Sequence, residues 1–445
     1  MKYRVGFWWS EKKSQKLSST ELTALFAERD CQLVKIDLDR PIEEQGPFSL
    51  IVHKISDILV KADQGDAAAK KTISAFESYV RKHPQTVILD PLDNNRALLD
   101  RYKQYRLIEQ SGLAKEGVVF TPPFVHLIST NIDVNRGRIR RSKITFPLVC
   151  KPILAQGSTG AHQMCIIFNE AGLKDVKPPC VAQSFVNHNA KLFKLFVIKD
   201  KYYIMERPSL KNFQAGDQET VFFYSHDISK PNSSSSLTEL DEMDKLKLED
   251  LMSKMCNMNS TTTPLTTRNN TTTNNSASKT NNNTTNIQRS NIRTDGDDQN
   301  YATTFPNGIP DVVELKKQDG VNDENEANDD DDLEEKVEHD SKNAQTNQYS
   351  PLMPSNERIS KIVKIFSEKL GLTFYGIDII IENGTSRYAI IDMNTFPGYD
   401  GVENFLTIFR DVVCDAIPKD SQNQLLQTKI NKKKPTEIDS GIEST

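Results

Sequence analysis

The chain has 445 residues, 37% of them hydrophobic and 26% charged, and its formal net charge is −5. This size leaves room for two or three domains, while the longest apolar runs fall far short of the roughly 20 residues that a membrane-spanning helix needs. The six cysteines are scattered without a CxxC pair, which argues against a disulfide scaffold or a zinc ribbon and is typical of reduced thiols.

The first ninety residues alternate between predicted strands and helices. The predicted elements are strands at 3–9, 32–38, 49–53 and 86–90 and helices at about 18–29 and 67–82. Such alternation predicts a mostly parallel sheet covered by helices. No apolar signal region follows the first residues, so we expect a cytoplasmic protein.

Short strands dominate the centre of the chain, and two more lie near its end. The central strands are predicted at 146–151, 163–168, 180–186, 192–198 and 202–206. We expect these five to form one antiparallel sheet. Later, apolar residues at helical spacing between Ile359 and Leu370 predict a helix. Strands at 373–381 and 388–393 and a helix at about 402–414 follow it.

Between about residues 257 and 348 the sequence is rich in Asn, Thr and Ser and then acidic. It buries too little apolar surface to offset an ordering entropy of roughly 1–2 kcal/mol per residue, so we predict disorder. The run from Asp319 to Asp340 alone carries a net charge of −11, which leaves +6 on the remainder. Because lengthening a loop costs only about 0.6 kcal/mol per doubling, we expect this stretch to interrupt one folded region.

Two carboxylates lie in strongly apolar predicted strands, Asp378 in one and Asp392 in the next. A carboxylate there costs several kcal/mol unless it is paired or binds a cation. Asn394 shares the strand face of Asp392. In the absence of a bulge we predict a hairpin loop of odd length, such as 383–387, which would set Asp378 opposite Asp392. Three such oxygen ligands suit Mg²⁺. The alternative is a pair of solvent-exposed strand ends.

Several lysines also have apolar neighbours in the sequence, namely Lys54, Lys151 and Lys194. A single lysine of this kind usually extends its amine to water. Several of them, in one chain with a Mg²⁺-type set, favour a polyanionic ligand. The glycine-containing segment 156–162 is suited to wrap phosphate groups with its backbone N–H groups, and it matches neither the Walker A nor the GxGxxG pattern.

Several motifs together carry a resemblance to a known family. They are Ser10–Lys13, Arg40–Pro47, His53–Asp57, Leu98–Arg101, Pro178–Val181, Asn187–Ala190, Arg207–Phe213, Gly376–Ile380 and Asn394–Tyr399. Through them the chain resembles the inositol 1,3,4-trisphosphate 5/6-kinase family, also called the inositol-tetrakisphosphate 1-kinase family. The resemblance covers nearly everything outside the predicted disorder. The long insertion after Ser229 departs from the family, which has a much shorter connection there.

The resemblance implies an α/β (α+β) architecture, the ATP-grasp fold. It implies a parallel N-terminal α/β domain at residues 1–92 that binds inositol phosphate. An ATP-grasp catalytic region with antiparallel sheets, at 93–256 and 349–417, would complete the folded part. The insertion at 257–348 and the tail at 418–445 would then be disordered.

The resemblance also implies residue roles. The ATP-binding residues would be Arg101, Lys151, Gln183, Ser184, Phe185, Val186, Asn187, Lys194, Ser209, Ser225 and Ser229. The inositol phosphate would contact Lys13, Lys54, His162, Lys194, Asn394 and Gly398. The Mg²⁺ ligands would be Asp378, Asp392 and Asn394, with two ions per site. No residue is assigned as a general base.

The implied activity is phosphorylation of inositol 1,3,4-trisphosphate at the 5 or 6 hydroxyl, and of inositol 3,4,5,6-tetrakisphosphate at the 1 hydroxyl. ATP and Mg²⁺ would be required. We expect the protein to be a monomer that binds no nucleic acid and does not associate stably with membranes. Two alternatives stay open, an ATP-grasp carboxylate–amine ligase and a basic module that binds RNA or a phosphoinositide surface. The second would cluster its cations with exposed aromatic residues, whereas here the cations lie singly.

Overall fold

The computed structural model describes residues 1–16, 19–157, 159–259 and 353–418. The strands are β1 (Tyr3–Trp8), β2 (Cys31–Lys35), β3 (Leu50–His53), β4 (Val87–Leu89), β5 (Val119–Phe120), β6 (Phe124–Leu127), β7 (Leu148–Pro152), β8 (Gln163–Ile167), β9 (Cys180–Ser184), β10 (Lys191–Ile198), β11 (Lys201–Pro208), β12 (Val221–Tyr224), β13 (Phe374–Ile381) and β14 (Tyr388–Thr395). The α-helices are α1 (Glu11–Lys16), α2 (Ser19–Ala27), α3 (Ile42–Gln45), α4 (Ser56–Asp63), α5 (Ala67–Lys82), α6 (Leu92–Arg96), α7 (Arg101–Glu109), α8 (Ile132–Arg141), α9 (Ser225–Ile228), α10 (Glu242–Asn259), α11 (Asn356–Leu370) and α12 (Phe405–Asp415).

A parallel sheet in the order β2-β1-β3-β4 forms the N-terminal part, as predicted. We call it the N-terminal sheet. Helix α5 has the predicted bounds and begins after Asp66, whose side chain accepts a hydrogen bond from the Ala69 N–H. Such a cap satisfies one of the free N–H groups at the start of a helix.

The other strands form two sheets of five. One, in the order β11-β10-β13-β14-β5, carries Asp378 and Asp392, and we call it the carboxylate sheet. The second, in the order β12-β8-β7-β9-β6, carries Lys151 and is called the lysine sheet. The prediction of one antiparallel sheet from the five central strands is therefore wrong. The chain leaves the lysine sheet after β9 and turns at Asn189 and Ala190, both of which have a positive φ angle.

Strands from both sides of the 260–352 stretch share the carboxylate sheet, because β10 pairs with β13. Helices α7 and α11 pack on one face of this sheet. The apolar residues that predict α11 are all buried there: Ile359, Ile362, Val363, Phe366 and Leu370. The opposite face is left to carry Lys194, Asp378 and Asp392.

Helix α12, near the end of the described chain, packs against residues of both the N-terminal sheet and the carboxylate sheet. On α12, Phe409 lies in one buried cluster with Trp9, which follows β1, and with Phe374 of β13.

Of the predicted disorder at 257–348, only 257–259 are described, and they end α10. Of the tail at 418–445, only 418 is described. No helix in the described ranges is long and apolar enough to cross a bilayer.

Candidate active site

Three charged side chains form a row across the carboxylate sheet. Lys194 on β10 lies opposite Asp378 on β13, and Asp378 lies opposite Asp392 on β14. The Lys194 Nζ donates to Asp378 Oδ2 at 2.9 Å. Burial raises the pKa of Asp378, and the Lys194 charge opposes this shift. The predicted pairing of Asp378 with Asp392 is confirmed.

The hairpin reaches this pairing by a route other than the predicted one. Near its turn the two strands pair around a loop of even length, so the predicted odd loop at 383–387 is wrong. Farther from the turn the register shifts by one residue at Ile391, a β-bulge in β14. Because a bulge sets two residues of one strand opposite one residue of the other, Asp392 returns to the face of Asp378.

The carbonyl group of the bulge residue Ile391 accepts two hydrogen bonds. The Tyr105 hydroxyl on α7 donates to it at 2.8 Å, and the Lys151 Nζ donates to it at 2.9 Å. Lys151 also donates to Tyr105 Oη at 2.8 Å and to Gln183 Oε1 at 3.0 Å. Burial lowers the pKa of Lys151 to about 8, although Asp392 opposes the shift. An anionic ligand would therefore stabilise the charged amine.

A cavity lies between the lysine sheet and the carboxylate sheet. The implied ATP-binding residues that line it are Lys151, Gln183, Ser184, Phe185, Val186, Ser209, Ser225 and Ser229. Asp378 and Asp392 line it as well. Its apolar lining comes from both sheets and their connections: Val149, Met164, Leu192, Leu210, Phe223, Ile228, Ile380 and Ile391. An apolar space with one cation and two carboxylates suits a flat base that carries phosphate groups.

Arg101 is also implied as an ATP-binding residue, but it is not among the residues that line this cavity. Its side chain is almost fully buried, and its Nη1 donates to the carbonyl groups of Pro152 at 2.7 Å and Leu154 at 2.9 Å. Its Nε lies 3.9 Å from Asp392 Oδ1. Arg101 therefore supports the end of the Lys151 strand and places a positive charge beside Asp392.

Asn187 and Lys194 are likewise outside the lining. The Asn187 side-chain amide exchanges two hydrogen bonds with the backbone of Phe213, at 2.8 and 3.1 Å. This contact fixes the segment that leads from β9 to β10. Lys194 is connected to the cavity through Asp378. Asp378 lines the cavity and accepts a hydrogen bond from the Lys194 ammonium group.

The resemblance implies that the run from Gln183 to Lys194, which contains His188, holds adenine and ribose, and the structure places His188 in the cavity lining. His188 Nδ1 is 2.7 Å from the Val186 carbonyl oxygen, and its Nε2 is 2.7 Å from Ser209 Oγ. Burial lowers the pKa of His188 to about 4, so the ring is neutral near pH 7. The Asn187–Ala190 motif contains this residue, but only the three-dimensional contact with Ser209 reveals its position.

The neutral ring predicts a pH-dependent loss of stability that a His188→Gln variant lacks. An unfolded histidine has a pKa near 6.5, whereas the pKa of His188 in the fold is about 4. The unfolded state therefore binds more protons between about pH 6.5 and 4, and the fold loses stability as the pH falls through this range. We expect the free energy of unfolding to fall more steeply in the unchanged chain, by up to about 1.4 kcal/mol per pH unit. Urea unfolding at several pH values measures both slopes, and equal slopes would contradict the expectation.

The implied inositol phosphate residues of the first domain lie at one edge of the N-terminal sheet. Lys54 follows β3, and its N–H donates to the carbonyl of Trp8, at the end of β1, at 2.8 Å. Lys13 lies in α1, directly after β1, and is buried. Its Nζ donates to the Pro397 carbonyl at 2.8 Å, which brings it next to Gly398.

Gln156, at the start of the 156–162 segment, links this edge to the carboxylate sheet. The Ser56 hydroxyl donates to Gln156 Oε1 at 2.6 Å, and Gln156 Nε2 donates to Thr395 Oγ1 at 3.2 Å, next to Asn394. At the other end of the segment, burial lowers the pKa of His162. The implied inositol phosphate residues thus come from three parts of the molecule: the edge of the N-terminal sheet, the 156–162 segment, and the carboxylate sheet with the residues that follow it.

The implied Mg²⁺ ligands consist of two carboxylates and one amide. Asn394 lies opposite Gly376, two residues along β14 from Asp392. Within the described ranges, no three His, Cys, Asp or Glu side chains cluster as a metal site. Mg²⁺ nevertheless fits this smaller set, because it is commonly held by one or two carboxylates and keeps waters and substrate phosphates as its other ligands.

Comparison with known proteins gives a consistent relationship. Residues 4–94 match the model of the inositol 1,3,4-trisphosphate 5/6-kinase pre-ATP-grasp domain, and residues 113–258 and 310–415 match that of the ATP-grasp domain of the same kinase. Among solved structures, the fold is similar to that of the D-cycloserine synthetase DcsG, with a TM-score of 0.46 and 8% identity, over 93% of this chain and 100% of that chain.

Two relatives agree with the family models. The chain is 32% identical to an inositol-tetrakisphosphate 1-kinase of Xenopus laevis, over 94% of this chain and 80% of the relative. It is 34% identical to one of Danio rerio, over 93% of this chain and 81% of the relative. The chain therefore belongs to the inositol 1,3,4-trisphosphate 5/6-kinase family and has the ATP-grasp fold of that family.

Proposed function

We propose that the chain transfers the terminal phosphate of ATP to inositol 1,3,4-trisphosphate at the 5 or 6 hydroxyl, and to inositol 3,4,5,6-tetrakisphosphate at the 1 hydroxyl. One observation carries the proposal: Lys151 of the lysine sheet reaches across to the carboxylate sheet, and Asp378 and Asp392 line the same cavity. A cation beside two carboxylates suits a nucleoside triphosphate and its divalent counter-ion. The names of the relatives support the choice of acceptor.

The chain's own groups would act mainly by positioning and by neutralising charge, because the transition state of phosphoryl transfer is loose. The apolar lining would hold the adenine, and Lys151 would hold the phosphates that lie closer to the adenosine. Asp378, Asp392 and Asn394 would hold two Mg²⁺ ions, which neutralise charge on the phosphate oxygens when bound. No side chain is assigned to remove the proton of the inositol hydroxyl.

The acceptor would lie where the N-terminal sheet, the 156–162 segment and the end of β14 meet. Residues 1–92 would supply Lys13 and Lys54, and the two parts of the ATP-grasp region, at 93–256 and 349–417, would supply the other contacts. The side chains that would hold the ring phosphates are Lys13, Lys54, His162, Lys194 and Asn394, with Gly398 beside them. Lys194 would exchange its contact with Asp378 for the acceptor.

We further propose a monomer in the cytoplasm that needs neither nucleic acid nor stable membrane association. Within the described ranges five cysteines form no disulfide, which supports this compartment: Cys31, Cys150, Cys165, Cys180 and Cys414. Disulfides persist mainly in oxidising compartments. Sedimentation of the purified chain, alone and with anionic vesicles, tests the monomer and the lack of membrane association.

The activity is tested by incubating the purified chain with ATP, Mg²⁺ and inositol 1,3,4-trisphosphate. We expect inositol tetrakisphosphate, separated by anion exchange, and ADP in equal amount. The carboxylate–amine ligase alternative predicts no such product, and ADP release only when a carboxylic acid and an amine are both present. That result would overturn the proposal.

A further inference from the structure

A chain of two short hydrogen bonds borders the nucleotide cavity. It runs from the Val186 carbonyl through the His188 ring to the Ser209 hydroxyl, and each link is 2.7 Å long. All three residues line the cavity, and His188 and Ser209 are both more than nine-tenths buried. The backbone holds them there, because the Ser209 N–H donates to the Ala190 carbonyl at 2.8 Å.

The polarity of this chain follows from its first member. A carbonyl oxygen can only accept a hydrogen bond, so His188 Nδ1 must carry the proton that is shared with Val186. The ring is neutral, since burial lowers the pKa of His188 to about 4. A neutral imidazole with a proton on Nδ1 has only a lone pair on Nε2. The Ser209 hydroxyl must therefore donate its proton to His188.

This use of the proton leaves Ser209 with acceptor capacity only. A serine hydroxyl has one proton and two lone pairs, and the proton is engaged by His188. Any ligand group that bonds to Ser209 from within the cavity must then be a donor. In ATP, the donors in this part of the molecule are the ribose hydroxyls and the exocyclic amine of adenine.

We propose that His188 is a positioning residue that fixes Ser209 as an acceptor, so that this point of the cavity selects a nucleotide by a hydrogen-bond donor. The inference rests on the proposed function, because it requires ATP in this cavity. It goes further by assigning the direction of one recognition contact, and by giving a role to a histidine of the cavity lining that would act on the nucleotide through Ser209.

The test compares kcat/KM for ATP with kcat/KM for three analogues that each lack one donor: 2′-deoxy-ATP, 3′-deoxy-ATP and the purine ribonucleoside triphosphate without the 6-amino group. We expect the unchanged chain to discriminate against one of them by about 5–50-fold, because a buried acceptor without its donor is costly. The analogue that is rejected distinguishes a ribose hydroxyl from the base amine.

Ser209→Ala and His188→Phe should each bring the ratio of kcat/KM for ATP to kcat/KM for the rejected analogue close to one. His188→Phe should not change this ratio further in a chain that already carries Ser209→Ala. His188→Gln should retain part of the discrimination, because its Oε1 can accept the Ser209 proton. A purely structural role for His188 would reduce kcat/KM for all four nucleotides alike and leave the ratio unchanged. That outcome, or a lack of discrimination in the unchanged chain, would overturn the inference while ATP turnover stands. A complete absence of ATP turnover would overturn the proposed function as well.

Discussion

We expect the Asp392→Asn chain to transfer phosphate about 10²–10⁴ times more slowly than the unchanged chain at saturating ATP and Mg²⁺. A divalent ion contributes several kcal/mol of charge stabilisation to such a transition state, and each 1.4 kcal/mol corresponds to about a tenfold change in rate. Asparagine keeps the shape of the side chain but removes its charge. Asp378→Asn should have an effect of similar size, because the two carboxylates lie opposite each other. Initial rates of inositol tetrakisphosphate formation measure both.

A matched control exists in the same sheet. Asp200 lies in the exposed turn between β10 and β11, so Asp200→Asn removes one carboxylate charge without touching the row. We expect its rate to stay within about twofold of that of the unchanged chain, because surface substitutions usually have small effects. Thermal unfolding of all three variants separates loss of the site from loss of the fold. If the Asp392→Asn chain unfolds normally and keeps its full rate, Asp392 has no role in holding Mg²⁺.

The second large effect concerns Lys151. We expect Lys151→Met to lower kcat/KM for ATP by about 10–100-fold, because a hydrogen bond to a charged group contributes about 1.5–3 kcal/mol. The free energy of unfolding should not fall together with kcat/KM. Burial lowers the pKa of this amine to about 8, so the charged form is less stable in the fold than in water. A methionine of similar length avoids that cost. Urea unfolding and steady-state kinetics of the same preparation measure both quantities.

Tyr105→Phe provides the companion variant. It removes the hydroxyl that contacts both Lys151 and the Ile391 carbonyl, and a smaller loss of about 2–10-fold is expected. If Tyr105 acts by holding Lys151, its loss should have little further effect once Lys151 is methionine, which a double-mutant cycle shows. Additive losses would mean that the two residues act separately.

The sequence predicts the elements of this site better than their assembly. Asp378 and Asp392 stand out because carboxylates are rare in apolar strands, and strand alternation correctly puts Asn394 on the face of Asp392. The bulge at Ile391 leaves no signal in the strand pattern, and the two groups that bond to its carbonyl, Tyr105 and Lys151, come from other elements. A local pattern therefore predicted the right pairing through the wrong loop.

The division of the central strands between two sheets is likewise not predictable from local sequence patterns. Strand β10 follows β9 closely in the sequence, yet it pairs with β13 from beyond the 260–352 stretch. Hydrophobic pattern identifies a strand but does not choose its partner. The contact between His188 and Ser209 is not predictable for a related reason, because Ser209 follows β11 and the sequence does not show which residues β11 brings near His188. Short elements such as β5 and α9 are also too brief to produce a periodic signal.

A binding experiment without turnover tests whether the carboxylates of the row bind a divalent ion together with a nucleotide. Calorimetric titration of a non-hydrolysable ATP analogue, with Mg²⁺ or with EDTA, would be run on the unchanged chain and on the chain with both Asp378→Asn and Asp392→Asn. We expect Mg²⁺ to tighten binding by at least about tenfold in the unchanged chain and to have little effect in the double variant. Equal tightening by Mg²⁺ in both chains would contradict the account.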